Sequence, residues 1–169
     1  MSAVYPRLAS EEAARWVLND LLPSAVCRLP SDHRLEMAKQ ALVWLRQIKE
    51  AELESGVKIF HFDDFDSVVL NALHSERRVR EGLDLAAVVR SPVLQSAIYD
   101  LAANVIYPME LREYAGDAFE RSVQRFGILL RGAQIQRLYD RYNASEFEPK
   151  ESQELLGRLL DVVEESVQK

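Results

Sequence analysis

Only six glycines and six prolines punctuate the 169 residues of this chain, and they fall where helix ends are wanted. A chain so poor in turn residues favours long helices over many short strands. Between these breaks the apolar residues recur mostly at helical spacing. The sequence therefore predicts an all-α fold, a single-domain bundle of six or seven helices around a long central helix at about 32–55, with no substantial sheet. Residues 1–169 read as one helical domain, with 1–9 as a flexible N-terminal segment.

Helix ends can be placed from local chemistry. Ser10 caps a first helix over Glu11 to Leu22, with Glu11 and Glu12 favouring its dipole and Pro23 stopping it. Pro30 and Ser31 open a second helix that Gly56 closes. Leu35, Ala38, Leu42 and Leu45 form one stripe on it, and Met37, Ala41, Trp44 and Ile48 the adjoining one. At 1.5 Å per residue, its roughly 24 residues span about 36 Å. Val57 to Phe62 reads as an extended connection. Asp63 then caps a third helix carrying Phe65, Val69 and Leu73, which ends near Gly82, and Asp84 starts a short piece to Val89. Ser91-Pro92 is a restart, serine at N-cap and proline at N1. The helix that follows uses Leu94, Ile98, Leu101 and Val105. Tyr107 to Tyr114 reads as an aromatic-bounded turn, and Gly116-Asp117 begins another helix. After a polar loop at 143–149, the last helix runs from about Lys150 to Val167.

The local motifs of several chemistries are absent. The chain contains no GxGxxG, no Walker lysine loop, no GxSxG and no HExxH. The densest group of metal-type ligands is His61, Asp63, Asp64 and Asp66. Aspartates at the start of a helix also serve as its cap and first turn, and positions i and i+2 of a helix diverge. No metal and no cofactor is therefore expected, and a metal-dependent enzyme built near His61, Asp63 and Asp64 is the third reading in order. Cys27 is the one cysteine, so no intrachain disulfide can form, which fits a reducing compartment. No apolar stretch is long enough to span a bilayer, and a cytoplasmic address is expected.

The net charge of −6 argues against nucleic-acid or anionic-membrane binding by bulk charge. Arginines nevertheless gather in two places, Arg77, Arg78 and Arg80, and a second segment that includes Arg121 and Arg125. Together they are the phosphate or nucleic-acid contacts of a second reading. Against it stands pairing of these arginines with acids of the same fold.

The favoured expectation is a non-enzymatic helical protein-protein interaction or regulatory module, binding a protein partner or itself as a homodimer. Phe119, Val123, Phe126 and Leu130 repeat at spacings of 4, 3 and 4, a coiled-coil-like seam. With Tyr107 and Tyr114, they are the partner-binding residues this pattern suggests.

Overall fold

A computed structural model describes residues 31–57 and 65–167. The expected helix over 11–22, the segment 1–9, Cys27, most of the extended connection and the group His61, Asp63 and Asp64 lie outside the described residues. The fold is all-α. Among the described residues run α1 (Ser31–Ser55), α2 (Phe65–Leu73), α3 (Val79–Ala86), α4 (Pro92–Ala103), α5 (Met109–Phe126), α6 (Gly132–Asn143) and α7 (Lys150–Val167), with a 3-10 turn at Ala144–Phe147 and no strand. The chain gathers into two compact units, Met1–Leu85 and Ala86–Lys169.

In the first unit, α1 is the long helix anticipated over 32–55. Its buried residues, Ala38, Ala41, Leu42, Leu45 and Ile48, form one continuous face. Met37, assigned by its spacing to the adjoining stripe, is exposed instead. Ions flank the apolar face: Lys39 lies 3.8 Å from Glu81 and Arg46 3.5 Å from Asp84, both acids on α3. Lys49 sits over the Phe65 ring at 5.2 Å. Gly82 does not end a helix, as its type suggests, but lies inside α3. A Cβ there would stand 3.1–3.2 Å from Ala72 Cβ, the Ala72 carbonyl carbon and Leu73 N, so the residue permits close approach of α2 and α3.

In the second unit, the restart at Ser91-Pro92 is as the sequence predicts. Ser91 is extended, and its Oγ accepts the Leu94 N–H at 3.2 Å. The segment from Tyr107 to Tyr114 differs from expectation: Pro108 is an N-cap, and α5 begins at Met109. Gly116 is thus mid-helix, where an added Cβ would meet Leu155 Cδ1 of α7 at 2.8 Å. Both glycines were legible as breaks only because close approach and helix termination call for the same residue. Gly127, at φ 72°, closes α5, its N–H donating to Val123 O at 2.8 Å. This left-handed conformation favours glycine. Gln95 then fixes the loop that follows. Its amide donates to Ser122 Oγ at 3.2 Å and Gly127 O at 3.1 Å, and its carbonyl accepts from Leu129 N at 2.7 Å.

Candidate functional site

The last carbonyls of a helix need donors from outside it. The end of α4 receives them from two arginines. Arg112 Nε donates to Ala102 O at 3.0 Å, and Arg141 Nε donates to Ala103 O at 3.2 Å. The helix dipole favours cations at this end. Arg112 Nη1 also donates to Ser152 Oγ at 2.7 Å, so one buried side chain of α5 ties α4 to α7. Arg141 grips Glu148 through both terminal nitrogens, at 2.7 and 2.9 Å. Such bidentate pairs fix orientation as well as adding energy.

The electrostatics of this cluster are strained. Burial lowers the Arg112 pKa, the neighbouring Arg141 charge lowers it further, and Glu148 opposes both. Burial pushes the Tyr99 hydroxyl up to about 12 against the pull of Arg141. Arg112 Nη2 and the Tyr99 hydroxyl are both buried and make no hydrogen bond among the described residues. The Arg141 hydrogen bond holds the Glu148 carboxyl below the usual glutamate range.

This last shift has a pH consequence. A carboxyl that is more acidic in the folded chain binds protons more readily when unfolded. Its stabilising contribution is complete above the unfolded value of about 4.3 and is lost as pH falls through the lowered folded value. Glu148→Gln should therefore narrow its stability deficit to wild type as pH falls from 7 to about 3.5. Urea unfolding midpoints of both proteins at the two pH values measure this, and a deficit independent of pH would contradict it.

Two turns carry the exposed apolar residues around this clamp. Asn104 closes the first: its carbonyl accepts from Tyr107 N at 3.2 Å and its side chain from Ile106 N at 3.0 Å. Val105 and Ile106 occupy the two corners and are 55% and 84% exposed. Turn corners ordinarily take Gly, Pro, Asn, Asp or Ser. The second is the 3-10 turn, in which Phe147 is 94% exposed. Its backbone is nevertheless firmly held. Gln153 Nε2 lies 3.0 Å from each of the carbonyls of Ser145, Glu146 and Glu148, which share its two N–H groups, and Ser145 Oγ donates to Tyr142 O at 2.6 Å. Arg141 joins the turns, because Ala103 is three residues before Ile106 and Glu148 directly follows Phe147. Both turns therefore lie at the same end of the second unit.

Of the residues singled out by sequence pattern, Tyr107 closes the Val105–Ile106 turn through its backbone, and the seam and arginine residues lie elsewhere. Phe119, Val123 and Leu130 are buried in the second unit's own core, and Phe119 packs against the edge of Tyr99 at 5.8 Å. Phe126 is half-buried, and α5 ends there, so Leu130 lies beyond the helix and the seam is not continuous. Tyr107 and Tyr114 are also half-buried. Among the arginines, Arg77 is 3.6 Å from Asp32, Arg78 Nε donates to Ser75 Oγ at 3.3 Å, and Arg80 is exposed. Arg121 and Arg125 are exposed on α5 in the other unit. Among the described residues, no group of three or more His, Cys, Asp or Glu could hold a metal ion. No helix among them is long and apolar enough to cross a membrane.

Sequence pattern passed over Val105, Ile106 and Phe147. Val105 counts toward the apolar stripe of α4 until the helix is seen to end at Ala103, with Asn104 extended. Phe147 sits in a stretch otherwise read as polar loop. The available signal was apolar residues where turn chemistry calls for polar ones. No family model matches this chain, and no curated protein or solved structure matches it either.

Proposed function

We propose that this chain is a non-enzymatic helical interaction module that binds protein, either a second copy or another chain, through the end of the second unit bearing Val105, Ile106 and Phe147. The observation that carries the reading is Phe147, almost fully exposed on a turn whose backbone is pinned by Gln153 and by the Arg141–Glu148 pair. Exposed apolar groups that cluster mark interaction surfaces, whereas single scattered ones do not. An apolar anchor on a backbone already held in place loses less freedom on binding, and aromatic residues are enriched among the anchors of interfaces. Nothing within the turns asks for these side chains, since Asn104 and Gln153 supply the closing hydrogen bonds.

A photo-crosslinking phenylalanine analogue at position 147, compared with one at exposed position 136, tests the reading in cells that make the full chain. A discrete adduct at 147, lost when Ile106→Asp is added, is expected. A second copy gives twice the chain mass, and another protein gives a different mass. Crosslinking at 147 no greater than at 136 would remove the proposal.

A further inference from the structure

We infer that the partner of this surface is a basic amphipathic segment of a different protein, its apolar face against Ile106 and Phe147 and its lysines or arginines against Glu113, Glu146 and Glu151. The inference rests on the interaction reading above and adds the chemistry of the occupant. Residues 146–154 contain Glu146, Glu148, Glu151 and Glu154 against Lys150 alone. Two of these acids are already matched, Glu148 by Arg141 at 2.7 Å and Glu154 by Lys150 at 2.9 Å. Glu146 and Glu151 are exposed and have no ion pair among the described residues. Glu146 adjoins Phe147, and Glu151 adjoins the Ser152 that Arg112 holds. Glu113 follows Arg112 on α5, is exposed, and has no ion pair there either.

The apolar tips thus share this end of the unit with an excess of negative charge. A polyanion such as nucleic acid is repelled by such a surface. A second copy docked about a two-fold axis would place the same acids against each other, and like charges across an interface are costly. An amphipathic helix with a basic polar face satisfies both components, laying its apolar residues on the tips and its cations on the rim.

Fluorescence anisotropy with the full chain and two synthetic probes, a labelled Leu/Lys amphipathic peptide and its Leu/Glu counterpart, tests the inference. The Lys peptide should bind and the Glu peptide should not. Ile106→Ser with Phe147→Ser, and separately Glu146→Gln with Glu151→Gln, should each weaken binding by about tenfold. All four residues are on the surface, and far-ultraviolet circular dichroism confirms that the variants fold. Lys-peptide affinity unchanged by both pairs would overturn the inference. So would a wild-type dimer in light scattering that Ile106→Asp with Phe147→Asp makes monomeric. That second outcome leaves the interaction reading standing with a second copy as occupant. The absence of any 147-specific crosslink removes the interaction reading itself.

Discussion

Arg112→Ala is expected to lower the stability of the second unit by about 3 kcal/mol. The side chain donates to Ala102 O and to Ser152 Oγ, and its charge lies near Glu148. Hydrogen bonds to charged groups contribute about 1.5–3 kcal/mol each. Truncation also leaves the end of α4 short of a donor and opens space between α4, α5 and α7. Two terms act the other way. Desolvation of a buried guanidinium is costly, and Arg141 is no longer repelled. Because these opposing terms offset part of the loss, the expected value lies below the sum of two full bonds. Arg112→Met separates the contributions, since it keeps length and much of the volume while removing charge and donors. It should recover about 1 kcal/mol of the alanine loss and remain less stable than wild type. The urea midpoint should fall without a change of slope. A methionine variant as stable as wild type would mean that the buried charge and its hydrogen bonds contribute nothing net. Arg112 would then hold geometry and not stability.

The role of Arg112 could not be read along the chain. Its meaning depends on Ala102, ten residues earlier, and Ser152, forty residues later. No local pattern announces that an arginine will cap a helix to which it does not belong. Ser91-Pro92 is the opposite case, because the cap, the proline and the first amide it serves lie within four residues. The long helix over 31–55 and the final helix over 150–167 were equally legible, as sustained apolar periodicity bounded by breakers. Misreadings arise where one signal has two physical causes. The seam from Phe119 to Leu130 has the spacing of an intermolecular contact, yet three of its four residues are buried within the unit. Periodicity identifies an apolar face and is silent about what covers it. The exposed tips at Ile106 and Phe147 were missed for the complementary reason: two single residues on short turns have no period.

Gly82 supplies the second large effect. Gly82→Val is expected to destabilise the first unit by about 3 kcal/mol, Gly82→Ala by about 1 kcal/mol, and Gly132→Ala to stabilise by roughly 0.5 kcal/mol. Intrinsic helix propensity favours alanine over glycine by about 1 kcal/mol in a helix interior, so propensity alone predicts a gain at Gly82. Packing reverses the sign. A Cβ at Gly82 would meet the Ala72 carbonyl carbon and Leu73 N at 3.2 Å, and these are main-chain atoms that cannot rotate aside. Overpacking of this kind costs about 1–3 kcal/mol. Valine adds two further methyls and a stiff χ1, so its cost lies at the upper end. Gly132 is the control, as the first residue of α6 with nothing within 4 Å of an added Cβ. Urea unfolding of the three variants gives the comparison directly. If Gly82→Ala proved more stable than wild type, α2 and α3 would be free to separate by a few tenths of an ångström at no cost. Close approach would then not explain the glycine at that position.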